Sequence, residues 1–203
     1  MREQTGGEMS QQPQELPPNA QLMQMMSSKM VAKPIYAVAK LGVPDLIKDR
    51  PKTAAELAEA TGTHAPSLYR VLRALASLGV FSETSDGRFE KTPLSQLLES
   101  GPQSMRGFAI MFGEPWHDRA WSELLHSIKT GQSGFGQAMG ITAFEFFHQN
   151  ADAASVFNSA MTSFSANGAN AVVQAYSFTG MKKLVDVAGG HGFLLQAILK
   201  ATP

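Results

Sequence analysis

The sequence predicts a mainly α chain in three parts: a winged helix-turn-helix segment, a helical middle, and the opening strand and helix of an α/β domain. Three stretches carry this reading. Thr53 to Thr92, "TAAELAEATGTHAPSLYRVLRALASLGVFSETSDGRFEKT", has the order helix, helix, hairpin. Leu94 to Tyr176 keeps helical periodicity between glycine-rich turns. "LVDVAGGHGFLL", Leu184 to Leu195, passes from β-branched residues through a knot of small ones into an apolar run, as a strand, a tight ligand-facing turn and a helix do.

The elements follow in order. "MREQTGGEMSQQPQELPP" is rich in Gln, Gly, Glu and Pro and reads as a disordered tail over residues 1–18. Asn19 then offers an N-cap, with Leu22, Met25, Met26 and Met30 on one helical face. Pro34 is expected to kink or break that helix. "PIYAVAKLGVPDLI" is apolar on almost every side, which predicts a buried helix ending near Gly42 and a further turn at Asp45 to Ile47. Thr53 and Glu56 form a capping box, and Gly62 closes the short helix it opens. Leu68, Val71, Leu72, Leu75 and Leu78 line one face of the next helix, which Gly79 ends. Two short strands then meet at Asp86-Gly87.

In the middle region "SELLHSIKTG" and "AFEFFHQNADAASVFNSAMTSFSANGANAVVQAY" are predicted helical, and "GQSGFGQAMG" is read as too glycine-rich for a regular element. Trp121, heading "WSELL", is expected in the core. Trp116, after Pro115, is expected in a loop. The first parallel-type strand is placed at Leu184 to Val187.

Composition narrows the function classes. In 203 residues, Lys plus Arg equal Asp plus Glu at 17 each, so no net field draws the chain to nucleic acid or an anionic membrane. Cysteine is absent, which removes disulfides, thiolate metal sites and a cysteine nucleophile. The first eighteen residues do not resemble a signal peptide and no apolar run is long enough for a span, so a cytoplasmic protein is expected. His64, His117, His126, His148 and His191 show no i, i+4 pair for a metal, and no metal is expected.

The small-residue turn discriminates among ligands by its spacing. Neither Lys nor Ser/Thr follows Gly192, so it is not a P-loop, and a dinucleotide fingerprint begun at Gly190 would put Leu195 where a small residue belongs. What remains is Asp186, Ala188, Gly190 and Gly192, an acidic residue followed by small-x-Gly-x-Gly. This resembles the first motif of class I S-adenosylmethionine-dependent methyltransferases. The order of winged helix, then "MGITAFEFFHQNADAASVFNSAM", then "LVDVAGGHG" resembles the plant caffeate-type and bacterial polyketide or carotenoid O-methyltransferases over Gln21 to Pro203.

The resemblance implies a division into tail (1–18), winged-helix dimerisation domain (19–100), helical linker and acceptor region (101–180), and the start of a Rossmann-like methyltransferase domain (181–203). It implies S-adenosylmethionine as methyl donor, a small hydroxylated acceptor, and a homodimer through the N-terminal helices. Asp186, Ala188, Gly189, Gly190 and Gly192 would form the cofactor turn, with Ser165 and Met161 reaching the cofactor. Phe157, Met111, Phe112 and Trp116 would face the acceptor. The family usually has Gly at the position of Ala188, so slight crowding or a negative φ is expected there. The base that relatives use, a downstream His, has no counterpart, so no catalytic residue is assigned, and the chain is expected to be a fragment that does not catalyse alone. A DNA-binding regulator is the competing reading, with Ser67, Tyr69, Arg70 and Arg73 toward a groove. Two positive charges on that helix and a wing of mixed sign argue against it.

Overall fold

A computed structural model describes residues 16–101 and 104–202. Up to residue 15, the tail expected from composition lies outside the described residues. The first helix, α1, spans Pro18–Lys40. Pro17, not Asn19, occupies its N-cap, and Pro18 sits in the first turn, where a missing N–H costs nothing. Pro34 does not end it. The helix continues because its second half is packed against a later helix and buries Val38 and Ala39, which offsets the backbone bond that proline removes. Gly42, at φ 71°, turns the chain into the four-residue helix α2, Val43–Leu46.

A small helical and sheet unit follows: β1 (Lys52–Thr53), α3 (Ala54–Thr61), α4 (Ala65–Ser77), β2 (Phe81–Glu83) and β3 (Arg88–Lys91). The sheet order is β1-β3-β2, antiparallel throughout, with Phe81 opposite Lys91 and Lys52 opposite Phe89. Both halves of the capping box form: Glu56 N–H donates to the Thr53 hydroxyl, and the Glu56 carboxylate accepts from Thr53 N–H at 2.7 Å. Arg88 of β3 also donates to that carboxylate at 3.0 Å, so the start of α3 is fastened to the sheet. The hairpin loop has three residues, Ser85–Gly87: Gly87, at φ 76°, donates to Thr84 O and Thr84 N–H donates to Arg88 O. Leu57, Leu72, Leu75, Phe81 and Phe89 are fully buried and form the centre of this unit's core. Leu78, expected on the apolar face, is exposed in the C-cap position of α4.

The helices α5 (Pro93–Gln96), α6 (Arg106–Gly113), α7 (Pro115–Ser122), α8 (Leu124–Thr130), α9 (Gly134–Met139), α10 (Ala143–Gln149), α11 (Ala151–Ala175) and α12 (Phe193–Ala201) complete the described chain. The glycine-rich stretch read as irregular contains α9, because Ser133 caps it through Gly136 N–H. α6 lies between α1 and α11 and touches both through glycines. A Cβ at Gly107 would lie 2.8 Å from the backbone carbon of Ser159 on α11, and one at Gly113 would overlap the Tyr36 ring on α1. Arg106 locks the α1 side: Nε donates to Ala39 O at 2.9 Å and Nη1 to Asp45 at 2.8 Å. Lys33 and Lys40 of α1 pair with Asp118 and Glu114 at the start of α7.

Two expectations fail here. No strand forms at Leu184 to Val187; the segment has no regular structure through Asp186, and Val187, 85% exposed, opens the turn. A strand needs a neighbour to take its backbone hydrogen bonds, and none lies beside it among the described residues. Trp121 is not core: it is 61% exposed on a short polar helix, its indole N–H directed to His117 Nε2 at 3.2 Å. No helix among the described residues is long and apolar enough to cross a membrane.

Candidate functional site

The site begins with backbone geometry. Ala188, Gly190 and Gly192 all have positive φ, at 59°, 56° and 69°, so alternate residues are left-handed. Of the two outcomes expected at Ala188, slight crowding or a negative φ, the negative φ is excluded. The turn imposes its conformation on an L-residue at a cost of about 1 kcal/mol, because its Cβ approaches the following carbonyl. Asp186 folds its carboxylate over Gly189, where an added Cβ would sit 2.1 Å from Oδ2. Only glycine allows that approach. Gly192 donates to Gly189 O at 2.8 Å and occupies the N-cap of α12 without a side-chain cap. The N–H groups of the first turn of α12 are thus left without a side-chain acceptor from the N-cap, at the positive end of the helix.

Opposite stands α11. Phe157, Met161 and Ser165 recur every four residues and share one face. With Asn158 and Thr162, and with Asp186 to His191, Phe193 and Leu194, they line a cavity of about 530 Å³. Phe144 of α10 stands at its edge, 78% exposed. Phe147 stacks on Phe157 with ring centroids 4.6 Å apart and fixes that wall. The cavity thus joins Asp186, Ala188, Gly189 and Gly190 of the turn, though not Gly192, to the residues read from "FNSAMTSFS". It also contains Phe144, Asn158, Thr162 and His191, which the sequence reading did not select. Asn158 and Thr162 were visible as helical neighbours of Phe157 and Met161. His191 Nδ1 lies 2.9 Å from Thr162 Oγ1.

Met111, Phe112 and Trp116 lie elsewhere. Met111 is buried within α6, and Phe112 is half-exposed against Phe108 and His117. Trp116 is in the first turn of α7, not in a loop, because Pro115 starts that helix. It packs edge-on to Phe147, its indole nitrogen is buried without a hydrogen-bond partner, and it lines a separate cavity of about 360 Å³ with Lys40, Glu114, Phe146 and Asp152. Burial pushes the pKa of His117 below the ordinary imidazole value. Among the described residues no group of three or more His, Asp or Glu is placed to hold a metal.

Comparison with known proteins finds two matching regions. Residues 23–101 match the O-methyltransferase dimerisation domain, and residues 121–203 match the O-methyltransferase domain. The chain belongs to the O-methyltransferase family. It is 44% identical over 189 residues to "Phenazine O-methyltransferase PhzM" of Lysobacter antibioticus, covering 93% of this chain and 55% of that protein. It is 41% identical over 174 residues to "Mitomycin biosynthesis 6-O-methyltransferase" of Streptomyces lavendulae, covering 85% and 50%. The crystal structure of LaPhzM superposes with a TM-score of 0.88 at 44% identity, over 93% of this chain and 57% of that one. The chain spans about half the length of the curated relatives it matches. As a family member it has the two named regions and, among the described residues, a mostly helical fold with one small three-stranded sheet.

Proposed function

We propose that the turn from Asp186 to Gly192, with Met161 and Ser165 of α11, binds the methionine part of S-adenosylmethionine, and that Phe157 faces a small hydroxylated aromatic acceptor. The observation that carries the reading is the single cavity in which two left-handed turn residues, Ala188 and Gly190, oppose the Phe157, Met161, Ser165 face. The residues present fit the cofactor. Gly189 opens the backbone beneath Asp186, Gly190 and Gly192 have free space where a side chain would stand, and the helical wall offers a thioether and a hydroxyl. When bound, the cofactor supplies an electrophilic methyl group. The residues named here would hold it and align the acceptor oxygen for in-line attack.

Proton removal is not assigned to these residues. Asp186 lies over Gly189 and His191 is bonded to Thr162, which argues against either as the base. We therefore assign cofactor binding and subunit contact to this chain and not the complete transfer. Met111, Phe112 and Trp116 remain candidates for a more distant part of the acceptor region. The helix, helix, hairpin unit is read as a winged helix used for homodimer contact, with division points after residues 18, 100 and 180. In support, the side chains that a DNA reader would extend are engaged internally: Tyr69 donates to Glu83 at 3.1 Å and Arg73 to the Tyr69 hydroxyl at 3.2 Å. The exposed Leu22, Met25, Met26 and Met30 face of α1 supplies the apolar surface such a contact needs. Lack of cysteine fits a reducing compartment, and we place the protein in the cytoplasm.

Calorimetric titration with S-adenosylmethionine and S-adenosylhomocysteine tests the reading. Micromolar binding that Gly190→Val abolishes is expected, since valine at φ 56° is strained and projects into open space beside the turn. A folded chain that binds neither compound, or a Gly190→Val variant that binds both as tightly, would refute it.

A further inference from the structure

We propose that His191 is a positioning residue: bonded to Thr162, it sets the register of the glycine-rich turn against α11, and with it the distance between the cofactor-facing backbone and the Phe157, Met161 wall. This rests on the cofactor reading above and adds a residue to it. The turn needs such a fastening. Residues 184 to 191 are exposed, and no sheet neighbour supports them among the described residues. Three of the turn's backbone positions are left-handed, one of them an alanine that does not favour the conformation. A segment of that kind keeps its shape through what holds it from outside.

His191 is placed to do so from both sides. Its backbone lies between Gly190 and Gly192, its carbonyl accepts from Gln196 Nε2 of α12 at 3.3 Å, and its ring reaches Thr162 Oγ1 at 2.9 Å. Thr162 follows Met161 directly and lies one turn beyond Asn158, so one hydrogen bond links the two walls of the cavity. The bond is tolerant of ring chemistry, because a threonine hydroxyl both donates and accepts and pairs with either tautomer. Holding the turn in its binding conformation before the ligand arrives reduces the ordering cost of binding.

The test uses the whole chain and S-adenosylhomocysteine as probe. Thr162→Val removes the hydroxyl at constant shape, and His191→Leu removes the ring nitrogen. Thr162→Ser and His191→Asn each restore a polar atom at the same distance from the backbone. The Val and Leu variants are expected to weaken binding about 2- to 10-fold, the range one net hydrogen bond supplies. The double variant should be no worse than either single, and the Ser and Asn variants should recover wild-type affinity, which a purely structural filling role would not produce. Hydrogen exchange at the Gly192 amide of the free chain should accelerate by a similar factor in the Val and Leu variants. Unchanged affinity in both, or losses that multiply in the double variant, would overturn the proposal. If the wild-type chain does not bind the probe, the cofactor reading fails, and exchange at Gly192 decides this one separately. Acceleration on losing either partner supports the tie, and unaltered exchange removes it.

Discussion

Replacing Gly107 with alanine tests the helical stack that carries the site. The new Cβ would lie 2.6 Å from Ser159 Oγ and 2.8 Å from the Ser159 carbonyl carbon, where ordinary contact begins at 3.4 Å. The hydroxyl can rotate away but the backbone carbon cannot, so α6 and α11 must separate by about 0.6 Å at this point. Overpacking of this kind costs about 1–3 kcal/mol, occasionally more, and the better helix propensity of alanine returns about 1. A net loss of up to about 2 kcal/mol should lower the melting temperature by up to about 8 °C in a chain of this size. Gly136→Ala is the control, because the nearest neighbour of its added Cβ is at 3.9 Å. That variant should be neutral or more stable by up to about 1 kcal/mol. Thermal unfolding followed by far-ultraviolet circular dichroism separates the two. If Gly107→Ala melts above wild type, α6 and α11 are not in backbone contact there and the placement of the Phe157, Met161, Ser165 wall loses its support.

Ala188→Gly should bind S-adenosylhomocysteine at least as tightly as wild type, by up to about fivefold, since it relieves the left-handed alanine; calorimetry giving a tenfold loss would contradict the φ of 59°. Thr53→Ala should lower stability by about 1 kcal/mol in urea unfolding through loss of the cap; no loss would show that the box contributes nothing. The N–H and hydroxyl of Thr53, with Arg50, hold Glu56 at about 2, so its contribution is fully present above 4.5 and is lost as pH falls toward 2. The stability gap between wild type and Glu56→Gln should accordingly shrink across that window in acid titrations. Met26→Glu, placing a charge on the exposed face of α1, should convert a dimer to monomer in light scattering, and a persistent dimer would locate the interface elsewhere.

What could be read from sequence was what is encoded locally. The Thr53 box, the Gly62 and Gly79 stops and the hairpin each depend on residues within a few positions, and all are present. The Thr142, Glu145 box has the same signature and went unread within a longer helical run, which Asn150 in fact divides. Reading Phe157, Met161 and Ser165 together with the turn required the family resemblance, since they meet Asp186 to His191 only through folding. The Arg106 clamp joins residues 61 positions apart, and no pattern announces it. Trp121 is exposed although it heads the periodic run "WSELL", because periodicity says nothing of which face has a neighbour. The negative φ expected as one alternative at Ala188 does not occur, because the turn demands left-handed backbone at alternate positions whatever the propensity of a single residue.

The contact between Gly107 and Ser159 also makes α11 a lever. The helix has 25 residues, and Ser159 lies near its N-terminal third. At 1.5 Å per residue, Ser165 is about 9 Å from that pivot and Ala175 about 24 Å. A tilt of α11 about the pivot therefore moves the end that leads into residues 176–192 nearly three times as far as it moves Ser165. The side chains facing the ligand stay close to the fulcrum, while the strand-less segment that delivers Asp186 and the glycines hangs from the long arm.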